Sequence, residues 1–167
     1  YLNLFIPSAL DLPGDDFAID LVTRSPAEAA VTLTITRAPA GEREIAVRLP
    51  GWCATPLVSL NGKPVGRRGG DGYLRIRRGW RAGDRIEVVL PMDLRAEPTP
   101  DDPNLVAFVS GPLVLAADVG AADRPFERAA PGLRGDGPPA SLLRKAGAAP
   151  HVFTAELAQG GSATFSP

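Results

Sequence analysis

The sequence predicts an all-β fold: an antiparallel β-sandwich of jelly-roll-like type over residues 1–97, then a second, incomplete β-rich segment with a loop-like tail over 98–167. Three observations predict it. Short segments alternate apolar and polar residues with period two. Eighteen glycines and eighteen prolines interrupt the 167-residue chain between those segments. No amphipathic helical pattern emerges before residue 140. A chain of this length can bury a sizeable core without help from a disulfide or a metal.

The elements follow in order. "LNLFIP" reads as a strand with Leu2, Leu4 and Ile6 on one side and Asn3 and Phe5 on the other; its apolar character predicts an interface, exposed or satisfied by self-association. "VTLTITR" sets Val31, Leu33 and Ile35 against three threonines, the clearest half-buried strand in the chain. After "APAG", "EIAVRL" repeats the pattern with Ile45, Val47 and Leu49 inward, which suggests a hairpin between the two. "LPGWCATPLVSLNGKPVG" then reads as a strand end, a corner at Pro50 and Gly51, and a short hairpin about Asn61-Gly62, a dipeptide that tolerates positive φ.

"YLRIRR" alternates Leu74 and Ile76 with Tyr73, Arg75 and Arg77, while "RIEVVL" sets Ile86, Val88 and Leu90 against Arg85 and Glu87. "GGDG" and "RAGD" supply the turns around them. "EPTPDDPN" cannot continue a central strand and marks a boundary. Beyond it, "LVAFVSGPLVLAADV" reads as two strands meeting at Gly111-Pro112 or one bulged edge strand, residues 120–139 as loop, "ASLLRKAG" as a short helix and "HVFTAEL" as one more strand.

The composition narrows the function classes. With 44% hydrophobic residues, 22% charged residues and a net charge of −1, no electrostatic partner is implied, nucleic acid included. Lys63 and Lys145 are the only lysines among eighteen basic residues, a usage that fits GC-rich coding. No apolar run approaches the length of a membrane span, so no membrane partner is expected. Cys53 and His151, each alone of its type, exclude an internal disulfide and a thiolate-rich zinc site; no cofactor is expected in this chain.

Each chemistry-bearing residue also has a plainer role open to it. His151 is the only base for a Ser-His arrangement, but no GxSxG elbow accompanies it, and it reads as a strand-edge residue. Cys53 reads as a small turn residue. Paired carboxylates do glycosidase work, yet Asp15-Asp16 and Asp101-Asp102 sit among Gly and Pro, where Asp favours turns. The arginines of "RIRRGWR" belong on a solvated strand face, and Arg134-Gly135-Asp136 is expected by chance. Carbohydrate is the one ligand class with candidates: Trp52, Tyr73 and Trp80 could stack on sugar rings, or be core.

The ordered series "YLNLFIPSAL", "RLPGW", "VSLNGKPV", "GYLRIRRGWRAGDRIEVVLPMDLR" and "FVSGPLVLAAD" resembles the C-terminal portion of the β-L-arabinofuranosidase-like proteins of glycoside hydrolase family 127, long catalogued as a domain of unknown function. The resemblance implies an N-terminal catalytic (α/α)6 barrel followed by β-sandwiches. It further implies a cysteine nucleophile in a zinc site of cysteines and a glutamate, all on the barrel and none in the matching region. Cys53 inherits no such role. The chain is therefore expected to be a non-catalytic accessory segment of a longer polypeptide, inactive alone, with the missing barrel as its partner. The alternative is an autonomous carbohydrate-binding module.

Overall fold

Strands β3 (Ala30–Arg37) and β4 (Glu42–Arg48) carry the same alternation, yet they lie in different sheets. The expected hairpin between them does not form. Each has one apolar face, and the chain crosses between layers so that the two faces meet across a common core. The computed structural model describes residues 1–66, 69–118 and 132–167 and divides at Met92 into two compact units, Tyr1–Met92 and Asp93–Pro167.

In the first unit, one layer is a six-stranded sheet in the order β1 (Ser8–Leu12), β2 (Phe17–Thr23), β3, β8 (Arg85–Val89), β5 (Leu57–Leu60), β6 (Lys63–Pro64). The other layer pairs β4 with β7 (Tyr73–Gly79). All strand pairs are antiparallel. Ile35, Ile86 and Val88 from the first layer and Val47 and Leu74 from the second are buried in one apolar cluster. At roughly 1.5–3 kcal/mol for each large aliphatic side chain removed from water, this core is the main stabilising contribution.

The N-terminal expectation is corrected. "LNLFIP" is not a regular strand: only Leu2 bridges, in parallel, to Val47, and the first strand is the next segment, Ser8–Leu12. Pro7 supplies no amide to a ladder, so pairing restarts beyond it. Strand β2, "FAIDLVT", and strand β14 (Ser162–Ser166) were not anticipated, although β2 alternates as plainly as β3.

The Asn61-Gly62 turn forms as expected, with φ of 51° and 76° joining β5 to β6. Gly62→Ala, which forces a Cβ into the left-handed region, is expected to cost about 1–2 kcal/mol in urea unfolding.

The second unit is a six-stranded antiparallel sheet in the order β12 (Arg144–Lys145), β13 (Phe153–Glu156), β14, β11 (Leu113–Asp118), β10 (Val106–Ser110), β9 (Leu94–Pro98). Gly111-Pro112 is a two-residue hairpin loop between β10 and β11, with Gly111 at φ 57° where a II′ turn places glycine. The short helix expected over 140–147 is instead a 3-10 turn, Pro139–Leu142, followed directly by β12. Phe108 and Phe165 meet edge to face, their centroids 5.4 Å apart, in this unit's own core. The loop read over 120–139 falls mostly outside the described residues, which resume at Gly132.

Candidate functional site

Of the three aromatic candidates, only Tyr73 joins a polar surface cluster. Trp80 follows β7 and is 4% exposed. Its Nε1 donates to the Arg43 carbonyl at 2.9 Å, and the Arg78 guanidinium lies 5.6 Å from its ring centroid. An indole held this way presents no open face to a sugar. Trp52 is half-buried against the same core. Cys53 is fully buried, its amide donating to the Pro50 carbonyl at 3.2 Å, so the thiol is enclosed at the bend.

Tyr73 begins β7, opposite Arg48 of β4. The N-terminal stretch lies against β4's other edge: the Leu2 amide donates to the Ala46 carbonyl at 2.8 Å, and the Arg48 amide donates to the Leu2 carbonyl at 2.9 Å. That backbone pairing brings Tyr1 and Asn3 alongside residues seventy positions later. The Tyr73 hydroxyl donates to Asn3 Oδ1 at 2.8 Å, and the Tyr1 and Tyr73 rings meet edge to face at 5.5 Å.

Arg75, two residues along the same strand face, gathers the rest. It donates to Glu44 Oε1 at 2.8 Å, Asp71 Oδ2 at 2.6 Å and the Tyr1 hydroxyl at 3.2 Å, and its guanidinium lies 5.4 Å from the Tyr1 centroid. The Arg75 hydrogen bond, aided by the Tyr73 amide, holds the Asp71 carboxyl below its ordinary pKa. The result is an exposed phenol ring beside a planar donor fork and two carboxylates. Such a surface can bind a hydroxyl-rich ligand. It is ill suited to proton transfer, because general acids and bases work best with a pKa near the operating pH and Asp71 is moved the other way.

Tyr73 was visible as a candidate in the sequence; Tyr1, Asn3, Glu44, Asp71 and Arg75 were not singled out as its neighbours. The i, i+2 spacing of Tyr73 and Arg75 was the available local signal. The other contacts depend on how the N-terminal stretch docks.

The remaining candidates resolve into structural roles. Asp16 caps the 3-10 turn Pro13–Asp15 at φ 51° and pairs with Arg37, 3.0 Å away; Arg37 also contacts Asp11. Asp102 accepts the Asn104 amide at 2.8 Å and, through its carbonyl, the Thr99 hydroxyl at 2.9 Å. Beyond Arg75, the arginines of "RIRRGWR" also meet acids, Arg77 with Glu42 at 3.4 Å and Arg78 with Asp84 at 3.7 Å.

His151 does reach a serine: its Nδ1 lies 2.8 Å from Ser110 Oγ. Ser110 is 1% exposed at the end of β10, closed off from any substrate, and among the described residues no carboxylate hydrogen-bonds to the imidazole. The pair is a tie between a hairpin end and the turn before β13. Ser110→Ala is expected to lower the thermal stability of the second unit by about 1 kcal/mol, readable by calorimetry.

Among the described residues no three His, Cys, Asp or Glu side chains are grouped to hold a metal ion. The enclosed Cys53 supplies no open donor, so these residues do not fit the zinc site that the resemblance implies for the barrel. No helix among them is long and apolar enough to cross a membrane.

Comparison with solved structures finds the same architecture. Ara127N, a GH127 β-L-arabinofuranosidase from Geobacillus stearothermophilus T6, matches at 30% identity over 67% of this chain and 19% of its own, with a TM-score of 0.60. A GH127 β-arabinofuranosidase matches at 27% identity over 65% of this chain and 20% of its own, with a TM-score of 0.54. A structure described as a glycoside hydrolase matches in fold at 23% identity, covering 93% of this chain and 27% of its own, with a TM-score of 0.65. The chain thus spans about a fifth to a quarter of these structures. A search of curated proteins found no match.

The profile of the β-L-arabinofuranosidase, GH127 middle domain matches residues 1–92. That corrects the C-terminal position drawn from the motifs: the matched stretch is a middle domain and stops where the first unit stops. The chain belongs to the GH127 β-L-arabinofuranosidase family, and its first unit is that family's middle domain.

Proposed function

We propose that the chain is a non-catalytic accessory segment of a glycoside hydrolase, serving as a β-sandwich support for a catalytic barrel carried elsewhere on the same polypeptide. The observation that carries this reading is the middle-domain match in a chain that spans only 19–27% of its structural neighbours. The local chemistry agrees. Asp16 and Asp102, one from each acidic pair, hold turns instead, and the serine of the Ser-His contact is buried. A sandwich of this kind contributes by burying apolar surface of its neighbour and fixing loops at the rim of the neighbour's pocket.

The test compares the 167-residue chain with the full polypeptide on an aryl β-L-arabinofuranoside. The expected result is turnover by the full polypeptide and none by the chain. Turnover by the chain alone would overturn the proposal.

A second reading, a glycan-binding face, rests on the exposed Tyr1 ring beside Tyr73 and Arg75. Binding on a glycan array that disappears in Arg75→Ala and Tyr73→Ala, with unfolding curves unchanged in shape, would establish it. Absence of binding to arabinose-containing glycans at millimolar concentration would dismiss it.

A further inference from the structure

The two layers of the first unit are unequal. Six strands form one layer, while only β4, β7 and the bridged stretch around Leu2 form the other. The consequence is visible at the β1 edge. In register, Leu10 lies opposite Ile19 and Leu12 opposite Phe17, and Ile19 and Phe17 both pack toward the core. Leu10 and Leu12 therefore belong to the inner face of the sheet, yet they remain 46% and 39% exposed. A groove of about 350 Å³ opens there, bounded by β1 and β2 on one side and by Tyr1, Leu2 and Ile45 on the other.

Leu4 and Ile6, in the same N-terminal stretch, are also exposed, at 63% and 58%. Together with Tyr1 and the two β1 leucines, they place half of the ten exposed large hydrophobics found among the described residues within the first twelve positions. Among the described residues, Asn3, Leu4 and Phe5 make no backbone–backbone hydrogen bond, so the irregular stretch after the Leu2 bridge leaves its amides and carbonyls open on that side of the second layer. Strand β1 is itself an edge, exposed at all five positions, with no lysine, proline or bulge to guard it. Charge is balanced beside the strip: Asp11 alternates with Leu10 and Leu12 onto the other face of the sheet, where Arg37 pairs with it and with Asp16, and Glu44 at the groove wall pairs with Arg75.

We infer that this groove is a docking site for an extended segment of the remaining polypeptide, apolar at alternate positions, which adds to the short second layer beside residues 1–5. Alternation is required because one face of the segment must cover Leu10 and Leu12 while its backbone meets the open edge. The occupant is assigned to the same polypeptide because the GH127 structures of this fold are about five times as long as the stretch they share with this chain. The inference rests on the accessory reading and adds which face carries the contact and what meets it. The outer face of the large sheet, where Leu57 is 62% exposed, is the competing surface.

Cys53 is the only cysteine of the 167-residue chain and is fully buried; because the resemblance implies further cysteines on the barrel, each introduced thiol is read on its own proteolytic peptide by mass spectrometry. Leu10→Cys, Leu12→Cys and Leu57→Cys are made in the 167-residue chain and in the full polypeptide and labelled with a maleimide. Two positions in the groove guard against one variant failing to fold. The expected result is that Leu10→Cys and Leu12→Cys label at least tenfold more slowly in the full polypeptide, while Leu57→Cys labels at an equal rate in both. Slowing at Leu57→Cys alone would overturn the groove assignment and leave the accessory reading standing. Equal rates at all three positions would overturn the docking inference and leave the accessory reading to the turnover comparison. Slowing at Leu10→Cys that appears in the chain alone, and grows with its concentration, would assign the groove to a second copy and overturn the occupant named above.

Discussion

Trp80→Ala lowers the stability of the first unit by about 3–5 kcal/mol, the range for truncating a large buried aromatic side chain. The side chain links both parts of the second layer. It follows the last residue of β7, its ring is 4% exposed within the shared core, and its Nε1 donates to Arg43 on the neighbouring strand β4. Truncation leaves a cavity that β4 and β7 cannot close, because the two strands are held in register along seven residue pairs from Glu42 to Arg48. Trp80→Phe refills most of the volume and loses the hydrogen bond, so it costs less, about 1–2 kcal/mol. Urea unfolding followed by far-ultraviolet circular dichroism separates the two. A midpoint for Trp80→Ala equal to the wild type would show that the indole is not part of the core. The same geometry means that loss of glycan binding in Trp80→Ala would report unfolding, which is why Tyr73 and Arg75 are the informative positions for that question.

The class of fold and most of its strands were legible because period-two alternation is a local property. Val31, Leu33 and Ile35 declare an inward face on their own, and Asn61-Gly62 and Gly111-Pro112 declare their turns by backbone chemistry. Pairing is a different matter. Strands β3 and β4 look like hairpin partners because they are adjacent and alike, but β3 has two other neighbours, β2 and β8, and the crossing between layers is decided by how apolar faces bury one another. The "LNLFIP" stretch failed for a related reason: its pattern suits a strand, but only Leu2 finds a partner among the described residues. At the surface cluster, Tyr73 and Arg75 are neighbours on one strand, whereas Tyr1 and Asn3 arrive through backbone bonds to Ala46 and Arg48 that no local pattern announces. The Ser110 contact of His151 is similarly long-range, bridging forty-one positions.

Asp84→Asn costs about 1.5–3 kcal/mol at pH 7, and most of that cost disappears in acid. Asp84 is 7% exposed in the turn before β8 and ties two turns together. It accepts from the Asn61 side chain at 2.8 Å and from the Arg81 amide at 2.9 Å, and Arg78 lies 3.7 Å away. Asn61 in turn accepts the Arg85 amide at 2.8 Å, so the β5–β6 turn is fixed to the start of β8 through one buried carboxylate. Burial opposes ionisation of Asp84. The Asn61 and Arg81 hydrogen bonds and the charges of Arg78 and Arg81 outweigh it, and the pKa is held below the ordinary value. A depressed carboxylate pKa stabilises the fold at pH values above the unfolded-state pKa, near 3.9, and that contribution is lost as pH falls through this value toward the folded one. The amide keeps the shape and one accepting oxygen but sets an NH2 donor against either the Asn61 side chain or the Arg81 amide, so the loss at neutral pH follows from one hydrogen bond broken and the other no longer made to a charged group. Urea unfolding of wild type and variant at pH 7 and pH 3 gives the result directly, since other carboxylates titrate in both proteins and cancel in the difference. A gap that narrows toward pH 3 is expected; a gap that stays constant would mean that Asp84 acts at this corner by shape alone, without its charge.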